Sequence, residues 1–213
     1  MGKLVVTEFV TLDGVAQAPG EPDEDREDGF AHGGWQAPLI DEQSGQDMFE
    51  GARDMDALLL GRKTYEIFAG YWPTAPAEMP FTGLLNDVPK YVASHSLNDP
   101  LSWHGSTVLE GDLAESIPAL KERHDEVHVI GSLDLVHSLL RLGLVDRLDL
   151  WLYPLVLGSG KTVFADGSMP TAFRLTDSTT YPSGALHLAY EAAGAPTYGN
   201  MAAEDAPRVA EGG

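Results

Sequence analysis

The chain has 213 residues, 33 acidic against 13 basic side chains, a formal net charge of −20 and no cysteine. That balance argues against nucleic-acid or anionic-membrane partners, both of which need a basic surface. The missing thiols exclude disulfides and thiolate metal sites. The length and the 43% apolar content suit one large domain with a full core.

In chain order, Lys3 to Leu12 is rich in Val, Thr and Phe and predicts a strand that ends at Asp13-Gly14. Val15 to Pro38 is irregular and carries an acidic run, Glu21 to Asp25, and a Gly33-Gly34-Trp35 segment. Structureless stretches of this length in compact domains are lids or disordered segments. Phe30 and Trp35 suggest that this one docks on something. Gln43 to Arg53 predicts a short helix. Asp56 to Leu60 is a buried strand closed by Gly61, followed by a helix from Arg62 to Phe68. Asn86 to Pro89 lead into a strand at Lys90 to Ala93, and a further strand is expected at Ser106 to Leu109. Asp112 and Glu115 fit a capping box for a helix running to about His124. Val127 to Ile130 is a buried strand, Ser132 or Leu133 opens a helix to Leu142, and Gly143 stops it. A long strand is expected from Asp146 to Leu157. Two more, around Phe173 to Tyr181 and Ala185 to Glu191, flank the turn Pro182-Ser183-Gly184.

Strands alternating with helices imply an α/β fold, with a mostly parallel sheet covered on both faces and antiparallel strands at one edge. One domain is expected over residues 1–192, followed by a tail, 193–213, whose composition predicts disorder. The N-terminus has no signal-peptide pattern and no run reaches the roughly 18 apolar residues of a membrane helix, so a cytoplasmic protein is expected.

Ligands of such sheets bind beyond the carboxyl ends of the strands. The residues to examine are therefore Asp13-Gly14, Gly61-Arg62-Lys63-Thr64, Ser94-His95-Ser96 and Gly131-Ser132. A helix N-terminus after Gly61, with two cations, suits a phosphate. The same residues fit an ordinary strand-to-helix turn equally well. Gly131-Ser132 has the same placement and also fits a plain N-cap. Asp47, on the first helix, is a candidate proton donor or simply a solvated carboxylate. His32, in the long loop, could reach a ligand or remain a surface histidine. Gly160-Lys161-Thr162 does not complete a P-loop, because the first glycine would have to be Leu155. No G-x-S-x-G elbow occurs. His124 and His128 span a helix end and a strand, so no metal site is expected.

Four segments together resemble the dihydrofolate-reductase-like family, in the branch that includes the C-terminal reductase domain of the bifunctional riboflavin-biosynthesis deaminase/reductase. They are Phe9-Val10-Thr11-Leu12-Asp13-Gly14, Leu58 to Glu66 with its Gly61-Arg62-Lys63-Thr64-Tyr65-Glu66 turn, Lys90 to Ser94, and Val129 to Lys161, which holds Gly143-Leu144-Val145-Asp146 and Pro154 to Lys161. The resemblance implies the three-layer α/β/α fold of that family and reduction of a small heterocyclic substrate, a pterin, a pyrimidine or similar, with NADPH as hydride donor. It implies that Gly61, Arg62, Lys63 and Thr64 hold the cofactor phosphates, with Ser94 near the adenosine and Gly131 and Ser132 at the pyrophosphate or nicotinamide. Asp47 would supply the proton. Asp13, Gly14, His32 and Trp35 would belong to the substrate side and to a mobile lid. A homodimer is implied, with the Trp151 strand as a candidate contact. Two departures stand out. Ser132-Leu133 replaces further glycine, and no basic set matches a ribose phosphate. The alternative is a non-catalytic small-molecule or nucleotide-binding protein on the same fold.

Overall fold

The computed structural model describes residues 1–200. The part of the expected disordered tail from 201 on lies outside the described residues. Eight strands form one sheet: β1 (Lys3–Thr11), β2 (Ala57–Gly61), β3 (Lys90–Ala93), β4 (Ser106–Val108), β5 (Glu126–Ile130), β6 (Arg147–Tyr153), β7 (Phe173–Thr180) and β8 (Leu186–Ala192). Their spatial order is β4-β3-β2-β5-β1-β6-β8-β7. The first six are mutually parallel, and β8 runs antiparallel between β6 and β7. This is the mostly parallel sheet with antiparallel edge strands that the alternation of elements predicts.

Five helices cover it: α1 (Glu42–Ala52), α2 (Arg62–Tyr71), α3 (Pro80–Asp87), α4 (Leu113–Arg123) and α5 (Leu133–Arg141). Side chains on successive strand residues point to opposite faces. Leu4, Val6 and Val10 of β1 therefore join Leu59, Val127 and Val129 against Ile117, Leu120, Val136 and Leu139 of α4 and α5. On the opposite face Leu58, Leu60 and Val92 pack with Tyr65 of α2, Leu85 of α3 and Trp103. Each fully buried aliphatic side chain contributes about 1.5–3 kcal/mol relative to exposure. Among the described residues no helix is long and apolar enough to cross a membrane.

Three local expectations change. Helix α3 is additional: Pro80 occupies its first turn, where a missing N–H costs nothing, and Thr82 and Leu85 bury its inner face. β6 stops at Tyr153 rather than Leu157, because Pro154 cannot donate to a ladder. Asp112 caps α4 only through its carbonyl, which accepts the Glu115 and Ser116 N–H groups. The side-chain capping box of this protein is instead at α1. Asp41 Oδ1 accepts the Ser44 N–H (2.8 Å), and Ser44 Oγ accepts the Asp41 N–H (2.9 Å). Trp151 is 2% exposed within the single chain and lies on an interior strand, so its ring is not available as a dimer contact.

Candidate functional site

The long segment after β1 is docked on the sheet and has a small core of its own. Phe30 and Trp35 pack with Val15, Trp151, Tyr153 and Tyr181. The Trp35 Nε1–H donates to Gln17 O (2.8 Å), and Gln36 Nε2 donates to the buried Tyr153 hydroxyl (2.7 Å). Burial pushes the Tyr153 phenol up to about 12. Val15 bridges to Thr162, and the Ala16 N–H reaches Lys161 O. Asp13 staples the two ends of this arrangement. Its carboxylate accepts the Thr11 hydroxyl (2.6 Å) and the Gly158 N–H (2.7 Å), and these bonds hold its pKa below the ordinary value.

Gly160 shows how close the approach is. Its φ is 129°, and a Cβ there would lie 2.6 Å from Val15 Cγ1 and 2.8 Å from the Phe30 ring. Gly160→Ala is expected to lower stability by roughly 1–3 kcal/mol through overpacking and backbone strain. Urea unfolding would measure it; an unchanged midpoint would mean that the loop yields freely.

Beyond the carboxyl ends of β1, β2, β3 and β5 lies a cleft of about 1420 Å³. Gly61, Arg62, Lys63, Thr64, Ser94, Gly131 and Ser132 all line it, so the seven residues singled out for a cofactor are brought together. The turns after β2 and β5 each open a helix, α2 and α5, whose first N–H groups and positive dipole ends suit an anion. Ser132 is not the side-chain N-cap that its position suggests. It is left-handed (φ 67°, ψ 50°), and its Oγ accepts the Gly61 N–H (3.0 Å), tying one turn to the other. Ser94 Oγ accepts the Ser96 and Leu97 N–H groups and shapes its own loop.

Three of the cations that line the cleft, Arg62, Lys63 and Lys161, are already engaged. Arg62 Nη1 pairs with Glu66 (3.0 Å) on its own helix. Lys63 Nζ bonds Glu27 Oε1, and Lys161 Nζ bonds Glu27 Oε2 (2.7 Å) and Asp25. The two lysines hold the Glu27 carboxyl down at about 2. The acidic segment therefore reaches across the mouth of the cleft and is held there by ion pairs.

A second, apolar slot of about 180 Å³ lies between α1, α2, α3 and the sheet. Phe9, Phe68 and Ile130 wall both cavities, so the slot adjoins the cleft across these side chains. Its floor carries Trp151, stacked on His187 (ring centroids 4.5 Å apart, 19° between planes) and on Tyr181 (5.4 Å, 25°). Asp149, 4% exposed, accepts from Arg147 Nε (3.1 Å), and its Oδ1 lies 3.3 Å from His187 Nε2.

The remaining sequence candidates are not brought to these cavities. The α1 face that lines the slot is Met48, Gly51 and Ala52. Asp47, one residue off that face, accepts the Tyr181 hydroxyl at Oδ2 (2.9 Å). His32 is exposed and stands edge-on to Phe30. Trp35 and Asp13 hold the loop, and Gly14 accepts the Val163 N–H in the same tie. Sequence reasoning missed Asp149 and His187, whose meeting depends on the β6–β8 register, and Glu8. Glu8 lines the cleft, is 2% exposed, and its Oε1 has no hydrogen-bond partner among the described residues. Burial alone raises its pKa from 4.5 to about 8. Its signal was present in the sequence: it shares a strand face with Leu4, Val6 and Val10. Among the described residues no group of three or more His, Asp or Glu side chains could hold a metal ion.

A mostly parallel sheet with one antiparallel strand inserted near its edge, two helix N-termini facing a long cleft and a slot adjoining it define a protein of the dihydrofolate-reductase-like fold. The family described as the RibD C-terminal domain matches residues 2–187, and the chain belongs to that family. Protein YyaP of Bacillus subtilis (strain 168), described as uncharacterized, is 26% identical over 140 residues, 64% of this chain and 73% of YyaP. A pyrimidine reductase-like protein from Corynebacterium diphtheriae superposes with a TM-score of 0.60 at 15% identity, over 90% of this chain and 92% of that one. A diaminohydroxyphosphoribosylaminopyrimidine deaminase/5-amino-6-(5-phosphoribosylamino)uracil reductase from Thermotoga maritima does so with a TM-score of 0.60 at 16% identity, over 90% of this chain and 57% of that longer one. At these identities the structural likeness shows the fold.

Proposed function

We propose that the protein is an NADPH-dependent reductase of a small, planar heterocyclic compound. The observation that carries this reading is the junction of the two cavities at Phe9, Phe68 and Ile130. A dinucleotide laid along the strand ends, with its phosphates at the first turns of α2 and α5, would bring its reactive ring to the mouth of a slot fit for one flat molecule. The donor set suits such a group. Gly61 and Gly131 present backbone to the cleft without a Cβ, and the helix N-termini offer N–H groups to oxygen anions. When bound, the cofactor would supply a hydride.

The residues of the chain divide the remaining work. Phe9, Phe68 and Ile130 exclude water where the two molecules meet. Trp151 offers a flat floor. The His187–Asp149 pair is the titratable pair within the slot and takes the proton-donor role in preference to Asp47, which is turned toward Tyr181. The compact slot, lined by one buried carboxylate and one imidazole, favours an uncharged or cationic ring over a phosphorylated sugar.

Thermal unfolding with NADPH and NADH tests the reading. At about a hundredfold excess over Kd, binding adds roughly 2.7 kcal/mol, a rise of about 5–10 °C for a domain of this size. Arg62→Ala should weaken NADPH by at least about tenfold and NADH less, because a charge-assisted contact to a phosphate is lost. Arg62 is the informative cation, since its partner Glu66 lies on its own helix while Lys63 is held by the loop. Equal effects on the two cofactors would remove Arg62 from the extra phosphate that distinguishes NADPH from NADH, and no shift with either would overturn the reading.

A further inference from the structure

Glu8 is an anomaly in the cleft wall. It lies on the central strand, on the face that otherwise carries Leu4, Val6 and Val10, at 2% exposure, and no donor or cation among the described residues meets its Oε1. Asp112 and Asp134, which also line the cleft, are exposed to solvent, and the carboxylates of the loop and of α2 have partners. Asp25 and Glu27 have lysines, Glu66 has Arg62, and Glu24 accepts the Gly20 N–H. Its neighbour in sequence, Phe9, is part of the wall where cleft and slot meet. The unmet carboxyl therefore lies where the cleft borders the slot, one residue past Thr7, whose carbonyl accepts the Gly131 N–H (3.3 Å), and between Phe9 and the turn after Ile130.

A buried carboxyl with no cation beside it holds its proton, and then offers one O–H donor and one carbonyl acceptor side by side. The group that matches this edge is a primary amide, which offers a carbonyl to the O–H and an N–H to the carbonyl oxygen. We propose that Glu8 recognises the carboxamide of the nicotinamide ring and fixes which way the ring faces the slot. This rests on the reductase reading. Glu8 acts here as a specificity-determining and positioning contact and takes no part in moving the hydride.

The test compares equilibrium binding of NADPH and of its reduced acetylpyridine analogue, in which a methyl replaces the amide nitrogen. No substrate is present, so a ring amide on a substrate cannot account for the result. The wild-type protein should bind NADPH about tenfold more tightly than the analogue, the size of one lost buried hydrogen bond. Glu8→Gln, which keeps a donor and an acceptor, should retain most of that preference. Glu8→Leu should bind the two alike. Equal wild-type affinities overturn the inference without any variant, and so does a Glu8→Leu protein that still prefers NADPH. A wild-type protein that binds neither compound overturns the reductase reading itself, and the inference falls with it.

Discussion

Glu8→Gln is expected to stabilise the protein by on the order of 5 kcal/mol at about pH 9 and by little at about pH 4. The Glu8 carboxyl ionises at about 8 in the folded chain against 4.5 when solvated, and burial is the cause. Between those values the folded chain keeps a proton that the unfolded chain releases, so stability falls as pH rises, and the full penalty is present above about pH 8. Each pH unit of that gap corresponds to roughly 1.4 kcal/mol. Glutamine is a neutral isostere and never incurs the penalty. Two other buried groups titrate in neighbouring ranges. Lys90 is lowered to about 8 by burial, and His128 is also lowered by burial. Their effects are common to both proteins and cancel in the difference. Unfolding midpoints across the pH range would check the expectation: the variant should gain roughly 10–20 °C over the wild type on the alkaline side. Parallel pH profiles would mean that a donor reaches Glu8 in solution.

Trp151→Ala should cost about 3–5 kcal/mol, the range for removing a large aromatic side chain from a packed interior. The indole is 2% exposed on an interior strand, with Tyr181 and His187 stacked against it. Neither neighbour can move in to fill the space without breaking its own bond, Tyr181 to Asp47 and His187 to Asp149. A urea titration should show a lower midpoint with an unchanged slope. A loss below about 1 kcal/mol would mean that the slot collapses onto the gap. On the reductase reading proposed above, the same substitution removes the floor of the slot, so a correctly folded variant should lose substrate affinity while still binding the cofactor in the cleft.

Local patterns made the sheet and the cleft wall legible in the sequence. The run from Ala57 to Gly61 has the length and apolarity of a buried strand, and Arg62 follows it as the first residue of a helix, so the turn between them had to lie at a strand end. Parallel strands then bring such turns together, and Gly61, Ser94 and Gly131 do line one cleft. Helix α3 was hidden because Pro80 and Gly83 interrupt its short apolar pattern, although Pro at a first turn is itself a start signal. The slot was illegible for another reason. Trp151 meets His187 only through the antiparallel β6–β8 register, and Asp149 reaches His187 diagonally across the same pair. No local spacing encodes that meeting. The docking of the loop was legible, because Phe30 and Trp35 suggested it and both lie in a buried cluster, while the ion pairs of Asp25 and Glu27 with Lys161 and Lys63 depend on the fold and could not be read locally.

The strand order carries a consequence for how the molecule is made. β1 is synthesised before both of its sheet partners, β5 and β6, with Lys3 opposite Glu126 and Val5 opposite Arg147. Until those residues leave the ribosome, Val5, Val6, Phe9 and Val10 have no neighbouring strand on either side. A strand waiting in this way presents unpaired backbone and apolar side chains to any other chain nearby. Its pairing is also non-local, which slows folding. The central strand of the finished sheet is thus the segment most exposed to misassociation during synthesis, and aggregation on refolding from denaturant at high concentration is a competing fate built into the topology.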